Sequence, residues 1–156
     1  MAELRVPTVA LAAEVFCADG RVMRGRIFVP ACAPRHAGAS RPAEWINESG
    51  PFFPFLPDDS GSAVIVNKLE VLVLTVAAEA DSGDVVEDVE VPERRLSVEC
   101  ADRRFEGTVM IDAPENQRRV LDHLNRPEPF LVLRAGARHH LVQKARIARV
   151  VEKAPA

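Results

Sequence analysis

LDHLNRPEPFLVL, residues 121–133, changes character in the middle. Val120, Leu121 and Leu124 lie at the spacing of one helical stripe, Asn125 is suited to end a helix in the left-handed conformation, and Pro127 forbids its continuation. The run Phe130-Leu131-Val132-Leu133 is apolar at every position, the mark of a strand covered on both faces. The stretch has an echo upstream, in WINESGPFFPF at residues 45–55. Asn47 falls on Asn125, Pro51 on Pro129, Phe52 on Phe130, Arg41 on Arg119 and Glu44 on Asp122.

The echo extends in both directions and in the same order, which makes an internal duplication the reading that organises the chain. VFCADGRVMRGRIFV meets VECADRRFEGTVMI, pairing Cys17-Ala18-Asp19 with Cys100-Ala101-Asp102 and, after a one-residue gap, Gly25 with Gly107. VNKLEVLVL meets VQKARIARV, pairing Lys68 with Lys144, Val71 with Ile147 and Leu74 with Val150.

Each copy reads as two strands, a short helix and two strands, followed by a tight turn and a short fifth strand. Leu96, Val98 and Cys100 alternate as a half-buried strand does. Gly25 and Gly107 sit inside second strands, where glycine is unfavourable unless the strand bends or another backbone comes close, as closing a small barrel requires. Pro114 and Glu115 suit a first helical turn before Val120. The first copy is looser, with PACAPRHAGASRPA as a loop before a shorter helix around AEWIN that ends near Gly50. Pro54 in FFPFLP lacks a donor and marks an edge or a bulge.

The fold expected is mainly β: two tandem small β-barrel modules, each with a helix between strands 2 and 3. The boundaries are 8–78 for the first module, 79–93 for an acidic linker or added edge strand, and 94–153 for the second. Sixty to seventy residues bury little core alone, so the modules are expected to share stability.

The second copy, through its first strand, the glycine in its second and the closing HHLVQKARIARVV, resembles the SH3-like and Sm-like small barrels, including the bacterial RNA chaperone family. The R-x-x-D-x-L-N pattern followed by Phe-Leu is similar to uncharacterised bacterial small-barrel modules. Sm-like proteins carry their helix before the first strand, whereas here it follows the second. The resemblance implies an RNA site resting on Lys144.

Composition bounds the function. With 156 residues, 47% hydrophobic and 28% charged, the chain has the make-up of a folded domain rather than of a disordered segment. The start, MAELRVPTVALAAEVF, lacks a basic n-region and carries Glu3 and Glu14, so it reads as a leader and first strand of a cytoplasmic protein rather than as a secretory signal. VIVNKLEVLVLTVAA is interrupted by Asn67, Lys68 and Glu70 and is too short to span a bilayer.

Cys17, Cys32 and Cys100 form no C-x-x-C and read as free thiols; with His36, His123, His139 and His140 they supply no two close pairs for zinc. His139 and His140, adjacent in a strand, point to opposite faces, and His123 stands beside Asp122 without a nucleophile motif. Asp58-Asp59, Asp19 and Asp102 fall at turns. No catalytic residue, metal or cofactor is expected.

Charge is unevenly distributed. Residues 1–78 carry 7 basic and 8 acidic side chains, residues 79–93 carry 0 and 7, and residues 94–156 carry 13 and 8. Arg118, Arg119, Arg126, Lys144, Arg146 and Arg149 form a candidate binding surface, suited either to phosphates or to the acidic segment. Against nucleic acid stand the net charge of −3, the absence of Tyr and the use of most Phe in core positions. Gly25, Gly107, Asn47, Asn125, Lys68 and Lys144 are expected to be structural, because they recur. The function expected is a non-enzymatic interaction or scaffold module that binds a partner protein or itself, a homodimer first; nucleic-acid binding by the basic second module is the alternative.

Overall fold

A computed structural model describes residues 7–82, 91–114, 116 and 119–154. The chain is mainly β, with ten antiparallel strands in one sheet. The first half holds β1 (Thr8–Cys17), β2 (Val22–Pro30), α1 (Pro42–Glu48), β3 (Phe52–Pro57), β4 (Val64–Asn67) and β5 (Val71–Ala77). A helix α2 (Ala78–Ser82) follows. The second half holds β6 (Glu93–Cys100), β7 (Arg103–Met110), α3 (Val120–Leu124), β8 (Phe130–Ala135), β9 (Arg138–Gln143) and β10 (Ile147–Lys153). One 3-10 turn, Lys68–Glu70 or Lys144–Arg146, links the last two strands of each half.

The spatial order is β10-β6-β7-β8-β9-β5-β1-β2-β3-β4. Each half therefore has its fifth strand beside its first and its fourth at the far side, and the halves meet where β5 pairs with β9. The registers run in parallel. Cys17 faces Val71 and Cys100 faces Ile147, each beside a register shift. Ala13 faces Gly25 and Leu96 faces Gly107. Phe52 faces Asn67 and Phe130 faces Gln143.

A flat sheet would put β4 four strand spacings from β5, about 19 Å away. The three-residue 3-10 turn joining them spans only about 6 Å, so each half must curl strongly. The curl is open: among the described residues no ladder joins the fourth strand of a half to its own fifth, and the sheet is not closed into a barrel. In place of the two barrels expected from the sequence, backbone hydrogen bonding among the described residues forms one ten-stranded ladder, with β4 and β10 at its ends.

Two apolar cores form under this ladder. Val15, Ile27, Val29, Ile46, Phe53, Phe55, Val71 and Leu74 build the first, and Leu96, Val98, Cys100, Val109, Ile111 and Leu133 the second. Trp45 from α1 packs edge-to-face on Phe53, with ring centroids 5.1 Å apart. The cores interlock at the joint, since Phe130 and Leu141 of the second half enter the first core while Phe16, Leu72 and Val73 of the first half enter the second.

Helices α1 and α3 stand between strands 2 and 3 of their halves, as expected, but α3 begins at Val120 rather than at Pro114. Pro42 opens α1, and the Arg41 N–H donates to Glu44 Oε1 at 3.0 Å, occupying a donor that the helix start leaves free. Asn125 ends α3 with φ −84°, not in the left-handed conformation expected of it; Pro127 suffices as a stop. The segment read as an acidic linker begins as helix α2, and residues 83–90, including Val86 and Val89, lie outside the described residues.

Candidate functional site

The joint between the halves is where side chains of both converge. Asn47, on α1, bridges to β8: the Phe130 N–H donates to Asn47 Oδ1 at 2.8 Å, and Asn47 Nδ2 donates to the Ala43 carbonyl at 2.9 Å and, more weakly, to the Phe130 carbonyl at 3.4 Å. Gln143 is buried and its Nε2 donates to the carbonyls of Lys68, Leu69 and Val71 at 2.9, 3.3 and 2.8 Å. Arg146 Nη2 adds a 3.2 Å bond to the Leu69 carbonyl. Backbone at the start of β8 and in the turn from β4 into β5 is thereby tied across the halves, in addition to the β5·β9 ladder.

A second tie was not foreseen. Asp81, in the segment whose composition suggests an acidic linker or an added edge strand, is buried, with Oδ2 2.7 Å from His139 Nδ1 and Oδ1 accepting from the Ala43 N–H at 2.8 Å. One carboxylate thus holds α2, the start of α1 and β9 together. His140, on the opposite face of β9 as expected, has Nδ1 2.8 Å from Thr75 Oγ1. Burial, reinforced by Arg138, lowers its pKa. Burial likewise lowers the pKa of His123, with Arg126 and Lys144 adding to the effect.

Lys68 and Lys144 share one role. Lys68 Nζ donates to the Ile46 and Ser49 carbonyls at 2.8 and 2.7 Å, and Lys144 Nζ to the Arg126 carbonyl at 3.0 Å. Each satisfies acceptors at or just beyond a helix C-terminus, and burial lowers the pKa of both amines. Gly25 and Gly107 have a common role as well. A Cβ on Gly25 would lie 2.0 Å from the Leu56 carbonyl oxygen, and one on Gly107 2.4 Å from that of Arg134.

Of the six basic residues expected to form a surface, the five described ones are each engaged by a carboxylate or a carbonyl. Arg119 makes a two-pronged pair with Asp122 at 2.9 and 3.0 Å, Arg149 binds Glu99 at 2.9 Å, and Arg126 donates to the Asp112 carbonyl at 3.0 Å. Lys144 and Arg146 serve backbone carbonyls as described, and Arg118 lies outside the described residues. Arg126 and Lys144 do come together, lining a cleft of about 290 Å³ at the joint with Arg41, Glu44, Asp81 and His123. Charges of both signs face this cleft. Cys17 and Cys100 are buried free thiols, with pKa values raised by burial, and Cys32 is exposed.

Large apolar side chains left in solvent concentrate on the free edges. Phe52, Val64, Ile65 and Leu69 surround β4, and Val151 lies on β10. Outside these edges the exposed set among the described residues is Val9, Val22 and Leu121. The sequence did not reveal this cluster: Pro54 signals an edge or a bulge at β3, but β3 lies between β2 and β4, and it is β4, whose VIV reads as a core strand, that stands at the edge. Among the described residues no group of three or more His, Cys, Asp or Glu is placed to hold a metal ion, and no helix is long and apolar enough to cross a membrane. Comparison of the chain with known protein families, curated proteins and solved structures finds no match.

Proposed function

We propose that this chain is a non-enzymatic interaction module, two tandem SH3-like or Sm-like small-barrel units fused through one joint, which works by adding further chains to its open sheet edges. The observation that carries the reading is the cluster of exposed apolar side chains along β4, with Ile65 77% and Phe52 56% exposed. Edge strands with unpaired backbone groups and apolar flanks are adhesive, and proteins that do not use them protect them with charge, proline or a covering loop. β4 itself, Val-Ile-Val-Asn, carries neither a charge nor a proline.

A self-associating scaffold of the cytoplasm is the form favoured here. The nucleic-acid alternative draws less support, since the described members of the basic set are already engaged by carboxylates or carbonyls and no aromatic platform accompanies them. Light scattering behind size exclusion, run from 5 to 200 µM, tests the reading (about these concentrations suffice for micromolar contacts). Assembly that weakens when Ile65 is changed to Lys supports it. A monomer throughout that also captures no partner protein refutes it, and salt-sensitive retention of short RNA, abolished by Lys144→Glu with Arg146→Glu, would favour the alternative.

A further inference from the structure

The molecule contains one joint between its halves and displays both unpaired sides of a second. At the joint, the fifth strand of one half pairs with the fourth strand of the next, Val73 facing Val142, Leu74 facing Leu141 and Thr75 facing His140. Among the described residues, the strands with one side unpaired are β10, the fifth of the second half, and β4, the fourth of the first. β4 meets β3 in the register with which β9 meets β8, and β10 meets β6 in the register, shift included, with which β5 meets β1. Identical registers leave the outward N–H and C=O groups in the same sequence along each edge.

Exposure differs between equivalent residues as a missing joint requires. Leu141 is fully buried at the joint whereas its counterpart Ile65 is 77% exposed; Phe130 is 3% exposed and its counterpart Phe52 is 56% exposed. The polar ties are also present in half. Asn47 bonds the backbone of Phe130, while its counterpart Asn125 is exposed and its carboxamide has no partner among the described residues.

We propose that copies of the chain assemble head to tail, β10 of one molecule adding antiparallel to β4 of the next in the register of the internal joint. This deepens the interaction reading above and rests on it. Val150 would face Ile65, Val151 would face Val64 and Arg149 would face Val66, while Asn125 bonds the backbone of Phe52 in the next molecule. Asn67, the counterpart of Gln143, would reach the carbonyls around Lys144. No like charges oppose one another, because Arg149, Glu152 and Lys153 of β10 meet the uncharged stretch Ser62–Val66. Two different surfaces meet, so the contact is heterologous and propagates into a ring or a filament rather than stopping at a two-fold dimer.

The test uses the full chain blocked on one edge at a time. Ile65→Lys removes the β4 edge and Val151→Lys the β10 edge; both positions are exposed, so folding is checked by a melting temperature equal to that of the wild type in dilute, unassembled protein. The wild type is expected to form species beyond dimers and each variant alone to be monomeric. The equimolar mixture is expected to give a 1:1 heterodimer, through the one intact β10 and the one intact β4. Asn125→Ala provides a second, milder variant that weakens assembly at least tenfold. A two-fold homodimer disrupted by only one of the blocks would overturn the head-to-tail contact while leaving the interaction reading intact. A monomeric wild type would overturn the assembly, and a monomeric wild type with no protein partner would overturn both.

Discussion

Gly25 and Gly107 hold equivalent places in the two halves, and each leaves room for a carbonyl that a methyl group would displace. The Leu56 oxygen sits where a Cβ on Gly25 would need to be, and it belongs to backbone, which cannot rotate aside as a side-chain tip can. Gly25→Ala must therefore push β3 away from β2 or twist β2, in a contact already limited to three register pairs. A loss on the order of 3 kcal/mol is expected, at the upper end for overpacking, read as a lower denaturant midpoint with unchanged slope. Gly107→Ala should cost less, because one of the atoms it meets is the movable Cδ-bearing carbon of the Leu133 side chain, although the Arg134 oxygen at 2.4 Å keeps it destabilising. The reverse order would show that the strand bends freely at Gly25. The shared chemistry of Lys68 and Lys144 belongs to this scale too: Lys68 gives two of its donors and Lys144 one to carbonyls at a helix end, which holds each amine against its own half.

At the scale of elements, α2 is held by one buried carboxylate together with its first N–H, that of Ala78, which donates to the Ala137 carbonyl at 2.8 Å. Helices of five residues are not stable alone, and Asp81 fixes this one by accepting from the first turn of α1 and contacting His139 on β9. Asp81→Ala leaves a buried imidazole and a helix-start N–H without their partner, so a loss of about 3 kcal/mol is expected. Asp81→Asn, which keeps an acceptor for Ala43, should recover part of it. Urea unfolding of the two variants checks the order, and equal stability of Asp81→Ala and the wild type would remove Asp81 as a tie. Strands, the helices α1 and α3 and their order were legible because similar patterns occur in both halves: Asn47 and Asn125, or Lys68 and Lys144, mean little singly and much together; α2 was not, because its segment reads as a linker or an edge strand. Asp81 was not legible, since its histidine is 58 positions away and its neighbours are acids whose composition suggests solvent. Nor was the openness of the sheet. Glycine in a second strand indicates close approach and bending, but the same local pattern serves a closed barrel and a curled sheet that continues into its neighbour.

For the whole molecule, what matters is that two equivalent asparagines have unequal surroundings. Asn47 works inside the chain, its carboxamide bonded to the Phe130 backbone across the joint, whereas Asn125 faces solvent. Asn47→Ala should lower stability by about 1–2 kcal/mol through a half-buried N–H left unsatisfied, with a corresponding drop in melting temperature at any protein concentration. Asn125→Ala should leave the melting temperature of dilute protein unchanged. Its effect should emerge as concentration rises, because a group that bonds only to the next copy contributes through mass action. Measured by differential scanning calorimetry from 5 to 200 µM, about the range in which a micromolar contact fills, the wild type should gain melting temperature with concentration and Asn125→Ala should gain less. A concentration-independent loss in Asn125→Ala, equal to that in Asn47→Ala, would instead assign both asparagines to the fold of a single chain and remove the second joint.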